Sequence, residues 1–359
     1  MFEGNWNWHA LSRVIPLVEV RKYPNLPWNK GGLSQNHTLT LDDIQSLQIK
    51  DGKWNWNWHA ISSRIPLSVV KKNLDLPWSK WGLSHNPTLT LDDVQSLQIK
   101  NGKRDWDWHA ISRVIPLSEV RNNPDLPWSK KGLSRNPTLT VDDIQYLSEI
   151  DGEWDWDEIS KRIPLVDVRK NPDLPWSKKG LSQNPTLTVY DIESLLDIDR
   201  PWNWFGISRV IPLSEVRKNP DLPWDKRGLS YNPTLTVDDI QSLSDKDGEW
   251  DWHAISERIS MDDIRKNPDL PWNKEGLSYN PTLAIHDIQS LSDIDAEWNW
   301  YEISSRVPIT YVYMYPNMGW SRTGLSRNKN IRVSDLIAWH EIPPSIYKKW
   351  QYPTDVIIV

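Results

Sequence analysis

The chain contains no cysteine. Disulfides, zinc ribbons and thiol catalysis are thereby excluded, and the lack suits an intracellular setting. Phenylalanine and methionine are nearly missing too, with 2 and 4 copies in 359 residues. No stretch approaches the roughly twenty consecutive apolar residues of a membrane helix, and no apolar leader follows Met1. Neither a membrane span nor a signal peptide is therefore expected. A basic surplus is absent: the net charge is -6 and the pI about 5.8, which argues against nucleic acid as partner. Nucleophile elbows, phosphate loops and dinucleotide fingerprints do not occur, so nothing calls for a cofactor.

What the chain has instead is 25 Trp and 27 Pro, and a period. The Trp residues of the Pro-Trp pairs, with Gly319-Trp320 at the seventh place, stand at 28, 78, 128, 176, 224, 272 and 320, in steps of 50, 50, 48, 48, 48 and 48. Seven tandem repeats thus occupy residues 1–340, starting near residues 6, 56, 106, 154, 202, 250 and 298, and residues 341–359 follow as a cap or tail. Each repeat is itself double. Trp106 precedes Ile111-Ser112 by five residues, as Trp128 precedes Leu133-Ser134. Ile115-Pro116-Leu117 then matches Leu139-Thr140-Val141, and Ser260-Met261-Asp262-Asp263-Ile264 copies the second-half pattern inside a first half.

Each half reads as two short helices. Pro127 stands where a first-turn proline would start a helix through Trp128 to Ser134, and Asn136-Pro137 would stop it. Thr140 is an N-cap, with Asp142 and Asp143 in the first turn, where carboxylates favour the positive end of the dipole. Pro116 takes the place of Thr140 in the first half, and Arg121 lies at the helix end that favours cations. Helices this short are marginal alone in water, so they must stack on the next copy. The expected fold is all-α, an α-solenoid of short helix-turn-helix repeats. The alternative is a seven-bladed β-propeller, which needs four alternating strands per unit where this chain has prolines and caps.

One position separates the two halves. Trp8, Trp58, Trp108, Trp156, Trp204, Trp252 and Trp300 stand where the other half has Lys30, Lys80, Lys130, Lys178, Lys226, Lys274 and Arg322. A position that accepts lysine is expected to be partly exposed, which would make the seven Trp residues a row for stacking a ligand or docking a partner. The other reading is that each ring packs on the neighbouring helices. Gly in every second half, Gly32 to Gly324, points to close helix approach, and Glu158 and Glu302 should loosen two first halves. Histidines 9, 59, 109 and 253 give one candidate ligand per copy, whereas a zinc site needs several converging. No metal or catalytic residue is assigned, because seven near-equal copies of everything offer no unique constellation.

The pattern W-x-W-x-x-[LI]-S-x-N-P-x-[LI]-T followed by N-P-D-x-P-W, as in Leu133-Ser134-Arg135-Asn136-Pro137 and Asn123-Pro124-Asp125-Leu126-Pro127-Trp128, resembles the tandem repeats of proteins from giant DNA viruses of amoebae, the mimivirus-like group. The likeness covers Trp6 to about Trp339, and departs from that pattern in the Lys of the second halves and in Val-Ile-Pro-Leu. It implies no activity, only a viral origin and a place in the host cytoplasm or virion. The expectation is a non-enzymatic scaffold for protein–protein interaction with a viral or host partner. The alternatives are a virion component assembling through its ends or apolar tail, and carbohydrate binding through exposed Trp.

Overall fold

The computed structural model describes residues 5–47, 56–97, 105–195, 201–243, 248–291 and 297–339. These residues form 28 α-helices, four in each repeat, and no strand occurs among them. The chain is an all-α solenoid of short helical repeats, and the propeller is excluded. Prolines and capping residues interrupt every run before it could extend as a strand.

Repeat three shows how the sequence sets the helices. The first helix, Trp108–Val114, starts where the Asp107 carboxylate accepts from the N–H groups of His109 and Ala110. The second, Leu117–Asn122, follows Pro116 and ends with Arg121 in its last turn. The third, Lys130–Leu133, is a single turn capped by Ser129, whose hydroxyl accepts from the Gly132 N–H. The expected start at Pro127 is corrected here. Trp128 precedes the helix, anchored by its indole N–H to the Asn123 carbonyl at 2.7 Å, and the capping hydroxyl of Ser129 sets the first turn. The fourth helix, Val141–Tyr146, opens with a capping box in which Thr140 and Asp143 satisfy each other's backbone N–H.

Buried polar side chains join these pieces. The Asn of each Asn-Pro or equivalent turn donates to two carbonyls of the preceding half; Asn136 Nδ2 reaches Ser112 O at 3.0 Å and Ile115 O at 2.8 Å. The Oδ1 of Asn136 accepts from the Thr138 N–H and hydroxyl. The Ser112 hydroxyl accepts from the Ser129 N–H at 2.9 Å, joining half to half. One half later, the Ser134 hydroxyl accepts from the Asp155 N–H at 2.9 Å, joining repeat to repeat. The same bond at both joints makes the half-repeat the packing unit.

The Asp at the third position of the fourth helix, whether or not another Asp precedes it, does more than complement a dipole. Asp43, Asp143, Asp191, Asp239 and Asp287 are buried, and each receives an arginine from the first half of its repeat. Burial opposes ionisation of Asp43 and Asp239, but the Arg21 and Arg217 guanidiniums and the Thr40 and Thr236 donors outweigh it. Both carboxyls are held below the usual range. In repeat seven Tyr313 replaces the arginine and donates to Asp335 at 2.7 Å. Burial and that carboxylate raise the phenol's pKa.

The chain divides into two compact units. The first comprises Met1–Thr88, Gln98–Lys103 and Trp300–Val359; the second comprises Leu89–Leu97 and Arg104–Asn299. Unit two holds repeats three to six, and a continuous core of Ile, Leu, Val, Met261 and the tryptophans Trp176, Trp224 and Trp272 runs through it from Val141 to Leu277. Unit one holds the first, most of the second and nearly all of the seventh repeat. Within it the Asn7 N–H donates to the Ser326 hydroxyl at 3.0 Å, the bond that elsewhere joins a repeat to its successor. Trp6 lies parallel to Trp339 at 5.9 Å, and Glu19 accepts from the Val333 N–H at 2.8 Å. The tail, residues 341–359, lies outside the described residues.

Candidate functional site

The first and third helices of every repeat pack together. That pairing places the row Trp8, Trp58, Trp108, Trp156, Trp204, Trp252 and Trp300 over the Pro-Trp ring of the same repeat. The rings meet edge to face, with centroids 5.1–5.4 Å apart. Such pairs contribute about 0.5–1.5 kcal/mol each beyond their buried area. All seven Trp residues of the row are half-buried, and the Pro-Trp rings beneath them are 0–5% exposed.

Of the cations at the matching position, Lys30, Lys80 and Arg322 are partly exposed as expected, and the other four are not. Lys130, Lys178, Lys226 and Lys274 are only 6–8% exposed. Each carries its ammonium over the first Trp of the next repeat, at 5.5–5.9 Å from the ring centre, and Lys130 also donates to the Ser148 carbonyl. An aromatic face and a carbonyl replace the lost water, so lysine here is a seam residue. Glu158 and Glu302 are half-buried, as Ala60 is, while the other first halves bury Ala or Gly.

A different set of side chains stands out once the repeats are overlaid. The frame is nearly constant: the Pro-Trp ring, Ser112, Gly132, Leu133, Ser134 and Asn136 have the same residue in all seven copies. Three columns vary. The residue after the second Trp is His, His, His, Asp, Phe, His and Tyr in order from His9 to Tyr301. The residue before the conserved Gly is Gly, Trp, Lys, Lys, Arg, Glu and Thr, from Gly31 to Thr323. The residue before the turn Asn is Gln, His, Arg, Gln, Tyr, Tyr and Arg, from Gln35 to Arg327. Every one of these side chains is exposed or half-buried.

The helix pairing brings the three columns together. His59 stacks on Trp81 at 4.4 Å, and Trp81 meets His85 at 5.4 Å. Asp157 pairs with Lys179 at 2.8 Å. Phe205 lies 6.0 Å from Tyr231, His253 lies 5.8 Å from Tyr279, and Arg327 sits over Tyr301 at 5.6 Å. Five of the seven repeats thus present a small cluster of their own chemistry on a common frame.

Neighbouring clusters connect inside unit two. Arg135 of repeat three lies 3.8 Å from Asp155 and 3.9 Å from Glu158 of repeat four. In repeat five, Arg209 and Arg258 lie over the Tyr231 ring at 5.9 and 5.4 Å, and Arg258, from repeat six, donates to the Tyr231 carbonyl. The Tyr231 hydroxyl donates to Asp251 at 2.9 Å. That bond first, then burial, raises the phenol's pKa. Burial opposes the charge on Asp251, yet bonds from the Ala254 N–H and Tyr231 hold its pKa below the usual range. Beside this cluster opens a cleft of about 710 Å³, whose lining includes Trp204, Arg227, Asp221, Asp225 and Glu249.

Among the described residues no cluster of three or more His, Asp or Glu is placed to hold a metal ion, and no helix is long and apolar enough to cross a membrane. Comparison with known proteins gives no family model, curated protein or solved structure that matches the chain.

Proposed function

We propose that the chain is a non-enzymatic scaffold that binds another protein through the varying side chains of its repeats. The observation that carries this reading is the division of labour between columns. The serine hydroxyls that bond half to half and repeat to repeat are constant, whereas three surface columns beside the first and third helices vary, and in five repeats their side chains touch. Folding demands constancy in the frame and places no such demand on these clusters, so their variety suits a partner with varied chemistry along its length. The resemblance to giant-virus repeats supports a viral setting with a viral or host partner.

The experiment is affinity capture from infected amoebae with the purified chain, against a variant carrying Arg135→Ala, Lys179→Ala and Arg227→Ala. A specific partner retained by the natural chain and lost by the variant is expected. Failure of the natural chain to retain any partner would sink the scaffold reading. A second reading, carbohydrate recognition, draws on the cleft beside Trp204 with its carboxylates Asp221 and Glu249. A glycan array without binders would remove it.

A further inference from the structure

We propose that the varying face of repeats three to six binds an extended acidic peptide segment, with anionic side chains engaging Arg209, Arg227 and Arg258 around Tyr231. This rests on the scaffold reading and names the chemistry of the partner.

The charge of the face runs against that of the chain. The net charge of the whole sequence is -6, yet in unit two the three varying columns hold Lys131, Arg135, Lys179 and Arg227 against Asp157 and Glu275. Three cations meet around Tyr231, Arg209 and Arg227 from repeat five and Arg258 from repeat six. Arg209, Arg227 and Arg258 are exposed, and they surround a tyrosine whose hydroxyl already occupies Asp251. Two of the guanidiniums lie on the ring, which limits their freedom before any ligand arrives and lowers the entropy lost on binding. Each guanidinium has five N–H donors in a plane that matches a carboxylate. The cleft next to them is lined by Trp204 and by the carboxylates Asp221, Asp225 and Glu249, so it takes an amide or basic side chain of the same segment while the acidic ones stay on the arginines.

A nucleic acid strand fits this face less well. It presents an anion at every nucleotide and asks for a cation at each step. Here Lys179 is tied to Asp157, and repeat six offers Glu275. With repeat four neutral and repeat six negative, the face has no unbroken line of cations and suits a peptide with a local group of acidic side chains.

The test is a selection of random peptides of about twelve residues, roughly 40 Å when extended, on the immobilised full chain. Recovered peptides are then measured by fluorescence anisotropy. Net-acidic peptides should be enriched, and their binding should weaken as salt is raised. Arg209→Glu with Arg227→Glu should weaken binding by about tenfold or more, while the helical circular dichroism stays unchanged. Lys266→Glu makes the same change of charge on another helix, outside the varying columns, and should leave affinity within about twofold. Loss of helicity in the double variant would move the test to Arg227→Ala alone, which removes one exposed side chain. The proposal is overturned if no peptide is enriched, if the enriched peptides are neutral or basic, or if Lys266→Glu weakens binding as much as the face substitutions do. A single-stranded oligonucleotide that competes more tightly than the best peptide would assign the face to nucleic acid and overturn it too. If a captured partner depends on the face but acidic peptides do not bind, only the acidic class falls; if no partner is captured, the scaffold reading falls.

Discussion

A methyl group added to Gly228 would sit 2.5 Å from the carbonyl oxygen of Phe205, well inside contact distance. The obstacle is backbone, so it cannot swing aside as a side chain would. Gly228→Ala must push the first and third helices of repeat five apart, and overpacking of this kind costs about 1–3 kcal/mol. Chemical denaturation should show that loss; an unchanged midpoint would mean that the helices do not approach this closely in solution. Asn232 carries a heavier load. Its amide donates to the Ser208 and Ile211 carbonyls, and its oxygen accepts from Thr234. Asn232→Ala would orphan several buried groups and should cost about 2–4 kcal/mol. The depressed carboxyls set an acid limit. Asp43 and Asp239 have folded-state pKa values below those of the unfolded chain. Their contribution is therefore complete above an unfolded pKa of about 3.9 and is lost as pH falls through the lower folded value. Melting temperature should hold between pH 7 and about pH 5 and drop below about pH 4. Asp239→Asn should lower it at neutral pH and flatten the acid limb; an equally steep limb in a variant lacking both carboxylates would assign the acid loss to other groups.

Among the helices, repeat six contains its own natural substitution. The fourth helix, Ile285–Ser290, begins at Ala284, where repeats one to five have Thr, and lacks a side-chain cap. Only half of the capping box survives there, with Asp287 accepting from the Ala284 N–H at 2.8 Å. Ala284→Thr should restore the other half and stabilise the chain by about 0.5–2 kcal/mol. A lower midpoint on denaturation would mean that a hydroxyl has no room at this position. Helices of this sort were open to sequence reading, because their start signals are local: Thr140 with Asp143, or a proline such as Pro116. The third helix was not, since Pro127 gives a plausible start and Ser129, two residues later, gives the one that is used. The burial of Lys178 also escaped, because the ring that receives its ammonium, Trp202, belongs to the next repeat and is brought near only by packing. The varying columns could have been found by overlaying the seven copies. That His59, Trp81 and His85 form one cluster could not, because it depends on the first and third helices lying side by side.

At the scale of the whole chain, the question is what happens where a repeat array would otherwise end. A terminal repeat leaves a face without a neighbour and usually needs a capping element. In unit one, repeat seven gives that face to repeat one through Asn7 and Ser326, 319 residues apart in sequence, with the same bond that joins consecutive repeats. Arg332 adds an ion pair to Glu19 at 3.4 Å, and Thr323 donates to the Asn5 carbonyl. The Trp6 and Trp339 rings lie within 3° of parallel. This bears on assembly through the ends. A second copy could use the same surface only by displacing the chain's own first repeat, which is a domain exchange. The contact can be measured by a double-mutant cycle on Trp6→Ala and Trp339→Ala. The two residues are far apart along the chain, so strictly additive losses would show that they do not meet in solution. A coupling of about 0.5–1.5 kcal/mol is expected for a stacked pair. The cycle should give the same coupling at every protein concentration, because the contact lies within one chain. Coupling that grows with concentration would transfer it to an exchanged dimer and restore the ends as an assembly surface.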